Sequence, residues 1–231
     1  MALSKIDISK MTTGTTPVTQ GGTGITSGTT DQFLKFTGTT TIASAVDNAG
    51  SLVPITTQAF PSGTELVINS CFSATYLNYM MIISLAVPVT DCSMNFRFNV
   101  GGSADSTSNY RYTLEGYQNT GSGTSSYSNG ATDEGRLFYD IDADSEAGAS
   151  GVFYIHNPFG DFQRKQVHGN TIVQKATASN TTQYQVASDY HNSTTKNFTG
   201  INIYSSGATN WRAGSTSGGY GRVSIFGIVN S

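Results

Sequence analysis

The run YLNYMMIISLAV, residues 76–87, restricts the fold more than any other stretch of this sequence. It has apolar side chains at both odd and even positions, which is too many for a strand with one solvated face. Pro88 follows at once, and proline cannot continue a sheet ladder because it lacks a backbone N–H donor. The run therefore predicts a central β-strand that is buried on both faces and ends before Pro88.

Strands of other kinds lie on either side of this run. MNFRFNV, residues 94–100, alternates apolar side chains with Asn and Arg, which predicts a half-buried strand. LVPITTQ, residues 52–58, is rich in β-branched residues but contains Pro54, which predicts an edge strand.

The remainder of the chain repeats such short runs between polar turns. Residues 118–131, rich in Gly and Ser, lie between predicted strands, and no stretch has the periodicity of an amphipathic helix. About ten short strands predict an all-β fold, an antiparallel β-sandwich that is jelly-roll-like. The further predicted strands are residues 64–70, 109–117, 136–142, 151–157, 166–176, 182–191, 198–206 and 220–229.

Residues 1–50 differ in composition from the rest of the chain. Their apolar residues are isolated among Thr, Gly and Ser, and PVTQGGTGIT (residues 17–26) can bury almost nothing. Only residues 5–9 and 32–36 are strand-like. We predict an extended N-terminal attachment segment over residues 1–50, in which residues 17–40 pack mainly against other chains, followed by a β-sandwich domain over residues 51–231.

Charge and composition exclude several classes of function. The net charge of −3 gives no electrostatic argument for nucleic-acid binding, which needs a basic face, and no apolar run approaches the roughly 20 residues of a membrane span. Residues 1–11 show no secretory signal pattern. Cys71 and Cys92 are interpreted as small buried residues rather than as a disulfide.

No pattern of catalytic or cofactor-binding residues is present. His156, His168 and His191 lie in separate runs without a nucleophile motif, so we interpret them as structural and predict no enzyme activity and no cofactor. The Gly-Gly-Thr-Gly segment lacks the Lys-Ser/Thr of a phosphate-binding loop.

DIDADSE, residues 140–146, has the carboxylate spacing of a calcium-binding loop. Ser145 stands where that loop needs Gly, and Gly151 stands where it needs a bidentate Glu. We therefore predict no metal site there, and interpret Asp140, Asp142 and Asp144 as one solvated face of a strand end, although Ca²⁺ binding stays open.

The order of these runs resembles a domain of tailed-phage virion appendage proteins, the tail fibre family of the marine and cyanobacterial phage type. The matching stretches in the second part of the chain are residues 76–91, 94–102, 109–112, 151–158, 164–170 and 221–228. PVTQGGTGITSGTTDQFLKFTGTT, residues 17–40, is similar to a second segment of such proteins, found near attachment or stalk regions.

This resemblance implies a virion protein that forms a homotrimer, with its N-terminal part docked to other virion structural proteins and its β-sandwich facing outward. The resemblance and the composition together assign virion attachment to these residues: Pro17, Gly21, Gly22, Thr23, Gly24, Phe33 and Leu34. A host surface glycan or protein is the expected distal partner.

Aromatic residues in or beside Gly-, Ser- and Asn-rich stretches are the candidate receptor contacts. Large flat rings among amides and hydroxyls suit stacking on sugar faces, although they also suit the ends of a sandwich or a trimer interface. The candidates are Tyr117, Tyr127, Tyr190 and Trp211, with Tyr220 beside them.

Two other functions compete with a tail fibre. The same sandwich would serve as a capsid decoration or head-fibre protein. A polysaccharide depolymerase would need paired carboxylates in a groove, for which Glu115, Asp133 and Glu134 are the few candidates.

Overall fold

The computed structural model of this chain describes residues 33–36, 42–45, 52–119, 124–143, 148–160, 164–175, 180–192, 196–214 and 221–229. The described residues form β-strands and their connections, with one short 3-10 turn at Ser206–Ala208. No helix in these ranges is long and apolar enough to cross a membrane. Contacts divide the chain into Met1–Gly50 and Ser51–Ser231, at the point where its composition changes.

Two strands belong to the first unit and the rest to the second. In the first unit, β1 and β2 pair as an antiparallel hairpin, with Phe33 opposite Ala45 and Phe36 opposite Ile42. The strands are β1 Phe33–Phe36, β2 Ile42–Ala45, β3 Leu52–Ala59, β4 Glu65–Ile68, β5 Asn78–Ala86, β6 Cys92–Val100, β7 Ser103–Ala104, β8 Tyr110–Gln118, β9 Thr124–Thr132, β10 Gly135–Ile141, β11 Gly148–His156, β12 Arg164–Lys175, β13 Asn180–His191, β14 Gly200–Ser205 and β15 Arg222–Ile228.

The second unit is an antiparallel β-sandwich with jelly-roll connectivity. One sheet contains the order β3-β15-β5-β11, and the other has the order β4-β14-β6-β10, with β7 added beside β6. Numbered along the chain, these eight strands lie in the orders 1-8-3-6 and 2-7-4-5, the arrangement of a jelly roll. The predicted fold class is confirmed.

Two hairpins enlarge one sheet of this jelly roll. In the sequence, the β8–β9 hairpin is inserted between β6 and β10, and the β12–β13 hairpin is inserted between β11 and β14. Both join the sheet beyond β11, which gives the eight-stranded order β3-β15-β5-β11-β12-β13-β8-β9. This wide sheet has an outward face much larger than the jelly roll alone would have.

The strand order tests two sequence expectations, at β3 and at residues 118–131. β3 lies at the edge of the eight-stranded sheet, where Pro54 needs no ladder donor, so that prediction is confirmed. Residues 118–131 contain most of β9, which was not predicted because its Ser, Thr and Asn side chains resemble a loop. Its backbone nevertheless pairs with that of β8, with Tyr117 opposite Thr124 at one end and Tyr110 opposite Thr132 at the other.

Strand β5 is central, as predicted, but only one of its faces is buried. Tyr79, Met81 and Ile83 point between the sheets and are buried, whereas Met80 and Ile82 point outward and remain partly exposed. The prediction of burial on both faces is therefore wrong within this chain, since no other element of the described structure covers the outward face.

Strand β6 is more buried than its predicted half-buried pattern. Its polar face is also covered, because Asn95 donates to Glu134 Oε1 over 2.8 Å and accepts from Nε of Arg136 over 3.0 Å. Arg97 pairs with the Asp133 carboxylate, and its guanidinium lies over the Tyr204 ring. A hydrogen-bonded network thus replaces solvent on the outward face of the smaller sheet.

One buried carboxylate fixes an end of the sandwich. Asp105 accepts hydrogen bonds from Lys196 Nζ at 2.5 Å, Thr107 Oγ1 at 2.7 Å and the Tyr190 hydroxyl at 2.9 Å. Burial acts to raise the pKa of Asp105, but the bonds from Lys196, Thr107 and Tyr190 hold this pKa below its ordinary value. The segment that leads into β8 is anchored in this way.

Close strand packing at Gly169 leads to a stability prediction. A Cβ at this position of β12 would overlap the Val152 carbonyl oxygen and would lie 2.8 Å from Cδ1 of Phe153. We expect Gly169→Ala to lower the free energy of unfolding by about 2–3 kcal/mol, since neither backbone can yield easily. Urea unfolding measures this value.

Gly130 on β9 provides the matched control for this substitution. A Cβ there meets no atom within 4 Å, so Gly130→Ala should change stability little. Equal effects of the two substitutions would contradict the packing described here.

Candidate functional site

The aromatic residues predicted to contact a receptor lie in two kinds of environment. Tyr117 is 51% exposed on β8, and Tyr127 on β9 is partly buried against Tyr139, with ring centroids 3.6 Å apart. Tyr190 and Trp211 are each only 1% exposed, so the prediction is wrong for these two residues. Tyr220 lies outside the described residues.

Packing explains why Tyr190 and Trp211 are not surface contacts. The Tyr190 ring lies 5.0 Å from that of Tyr110, and its hydroxyl is bonded to Asp105. Trp211 lies 5.1 Å from Phe60, and its backbone forms a bridge to Pro88. Polar neighbours in the sequence suggested loops, but both rings close ends of the core.

The predicted attachment residues fall mostly outside the described ranges. Pro17, Gly21, Gly22, Thr23 and Gly24 belong to the segment that the structure leaves undescribed. Phe33 and Leu34 lie on β1, where Leu34 is 58% exposed on a hairpin only four residues long in each strand.

The carboxylates considered for glycoside hydrolysis lie on different elements. Glu115 lies on β8 of the eight-stranded sheet, whereas Asp133 and Glu134 directly precede β10 of the smaller sheet. Glu134 accepts from Asn95 and from the Tyr204 hydroxyl at 2.7 Å, and Asp133 pairs with Arg97. Asp133 and Glu134 are therefore engaged in the network that covers β6.

The acidic segment and the cysteines provide little further chemistry. Asp140 has a φ of 56° at an irregularity of β10, and Asp142 follows the end of that strand. These residues therefore do not continue the alternating strand that the sequence predicted. Asp144–Glu146 fall outside the described residues. Within the described ranges, no group of three or more His, Cys, Asp or Glu side chains is arranged to hold a metal ion.

Cys71 and Cys92 are free and buried, as predicted, and burial raises the pKa of each thiol to about 12.

Two histidines that are distant in the sequence meet on the outward face of the eight-stranded sheet. The rings of His156 on β11 and His168 on β12 are nearly parallel, with centroids 4.9 Å apart and an interplanar angle of 8°. Nε2 of His156 lies 3.1 Å from Nδ1 of His168, and Nδ1 of His156 lies 2.8 Å from Oδ1 of Asn78. Sequence reasoning missed this pair because only strand register brings the two residues together.

The hydrogen-bond chain sets the tautomers of both neutral rings. The Asn78 carbonyl oxygen can only accept, so Nδ1 of His156 donates and its Nε2 accepts. Nδ1 of His168 must then donate to His156, which leaves Nε2 of His168 as a hydrogen-bond acceptor.

The same outward face is apolar near β5. Met80 lies beside Phe226 of β15, and Ile82 lies beside Val152 of β11. Ile82, Val152 and Ile172 line a depression of about 290 Å³, and Ile172 is 51% exposed. We call this set (Met80, Ile82, Val152, Ile172 and Phe226) the apolar stripe. An antiparallel sheet with a solvated face would place polar residues here.

Comparisons with known proteins add no assignment. The chain matches no protein-family model, no curated protein and no solved structure.

The histidine pair leads to a prediction on pH. Burial, and then the charge of His168, lower the pKa of His156 below its ordinary value of 6.5. The unfolded chain therefore binds this proton more readily than the folded chain does. We expect the free energy of unfolding to decrease as the pH falls from about 7 to about 5.

Urea unfolding across this range measures the contribution. His156→Gln should remove part of the decrease, whereas the non-titrating substitution Gln166→Ala on β12 should retain it. An unchanged pH profile in His156→Gln would contradict this account.

Proposed function

We propose that this chain is a structural virion protein of a tailed phage, a short homotrimeric tail fibre. Residues 1–50 dock to other virion proteins, and the β-sandwich contacts the host surface or another fibre protein. The proposal rests on the two-part sequence resemblance, and the observation that best supports self-association is the apolar stripe.

The apolar stripe supports association because of its position on a central strand. β5 is bounded by β15 and β11 and cannot pair further, so only a partner packed face to face would remove Met80 and Ile82 from water. Large exposed apolar patches on a protein surface mark interaction sites. Three copies of the chain can each turn this face toward a common threefold axis, so that symmetric association buries the stripe of all copies alike.

The first unit also favours attachment to a partner. An isolated two-stranded hairpin is marginally stable in water, and β1 presents exposed Leu34 and Phe36. Covering these side chains on another virion protein would stabilise the hairpin. Attachment through residues 1–50 accounts for a segment whose composition provides no core of its own.

Immunogold labelling of phage particles that contain the chain tests its location. We expect antibodies against the sandwich to label the tail. Signal confined to the head would replace the tail-fibre proposal with a capsid decoration or head-fibre protein.

A charge placed in the apolar stripe tests the homotrimer. We expect the native chain to have three times its 24.4 kDa monomer mass by light scattering. Val152→Lys should weaken association at least about tenfold, because a buried ammonium group without a partner opposes the contact. The outward position of Val152 lets the substituted monomer fold.

Val100→Lys is the matched control, since Val100 is also exposed but lies at the end of β6 in the other sheet. It should leave the trimer intact. A monomeric native chain, or equal behaviour of the two variants, would refute the proposed assembly.

A further inference from the structure

Two depressions lie side by side on the outward face of the two added hairpins. Their volumes are about 720 and 460 Å³, and Thr113, His168 and Ala187 line both. We call them together the hairpin cleft. Such volumes lie in the range of small-molecule sites, about 300–1,000 Å³.

Short side chains on the added hairpins create this cleft. Ala187 on β13 lies between His168 of β12 and Thr113 of β8, and Gly130 contributes no side chain on β9. The larger side chains around them form walls. The cleft depends on the two hairpins, since all of these strands lie beyond β11.

Aromatic rings form one wall of the cleft. Tyr154 and His168 are stacked, with ring centroids 5.4 Å apart and an interplanar angle of 26°, and Tyr154 is partly exposed. The bond that Nδ1 of His168 donates to His156 orients the His168 ring and leaves its Nε2 as an acceptor. This wall combines a flat apolar surface with an acceptor for a hydroxyl proton.

The polar side chains of the cleft are organised in two cross-strand rows. Each row contains three side chains. Within the part of the chain that the structure describes, none of these six side chains has a hydrogen bond to another protein group. By contrast, the polar groups over β6 are bonded to one another. The two rows are Gln166, Asp189 and Arg111, and Asn170, Gln185 and Glu115.

The chemistry of these rows matches sugar hydroxyl groups. Amides, carboxylates and a guanidinium supply both donors and acceptors, and a sugar can replace the water bound to each of them. The cleft contains Arg111 but also Asp189 and Glu115, so the carboxylates outnumber the guanidinium. Sulfated, sialylated or phosphate-rich ligands are therefore disfavoured.

We propose that the hairpin cleft binds a neutral oligosaccharide, with one sugar ring stacked on Tyr154 and His168 and its hydroxyl groups bonded to the two polar rows. This site specifies the ligand of the proposed function. It rests on that proposal for the source of the glycan, which is the host surface. It differs from the sequence-predicted receptor contacts, since neither Tyr117 nor Tyr127 lines the cleft.

The full-length chain is tested on an array of neutral hexose and N-acetylhexosamine oligosaccharides, with sialylated and sulfated glycans alongside. The tightest neutral trisaccharide is then titrated calorimetrically. We expect His168→Ala and Gln185→Ala each to weaken binding by about tenfold or more, through loss of stacking and of hydrogen bonds. Thermal unfolding confirms that each variant is folded.

Gln118→Ala is the matched control for Gln185→Ala, because Gln118 is exposed on the neighbouring strand β8 and lines neither depression. It should bind as the native chain does. Binding of no glycan, of acidic glycans in preference, or equal binding by cleft and control variants would each overturn the proposal.

The test separates this site from the proposed assembly. Val152→Lys should retain the affinity per site, because Val152 lines neither depression. A trimer that binds no sugar would refute the cleft alone, whereas a monomeric native chain that binds sugar through the cleft would refute the trimer alone.

Discussion

The burial of β5 is the constraint on which the rest of the sandwich depends. Its inward side chains Tyr79, Met81 and Ile83 lie between the sheets, and both of its edges are occupied. β15, near the C-terminal end of the chain, has to return beside β5, while β3 is displaced to the sheet edge. This return pairs the last strand with the first and third strands of the jelly roll, and thereby sets its connectivity.

The two outward faces of the sandwich have different chemistry because different elements cover them. Over β6, Asn95, Glu134 and Arg136 bond to one another and close the surface of the smaller sheet. On the outward face of the eight-stranded sheet, the described residues form shorter chains of hydrogen bonds, such as the one from Asn78 through His156 to His168. This face is apolar beside β5 and polar over the hairpins, where the side chains of the two cross-strand rows have no hydrogen bond to another group of the described residues.

Much of the fold could be predicted from periodicity, because side chains alternate across a strand whatever its neighbours are. Pro54 predicted an edge strand and residues 76–87 a central one. β9 could not be predicted, since ladder bonds between backbones require no apolar side chain. Tyr190 and Trp211 were misplaced because their flanking residues resemble loops, whereas their rings fill the ends of the core.

The sequence by itself determined the all-β class, the change of composition near Gly50 and the burial of the free cysteines, because composition and local patterning decide these properties. Only the tertiary structure decided which outward side chains become neighbours. Tyr154, His156 and His168 meet through the register of β11 and β12, and Ala187 opens the hairpin cleft because of its partners on β12 and β8. Register is a relation between distant segments, and a one-residue shift would turn these side chains to the opposite face of the sheet.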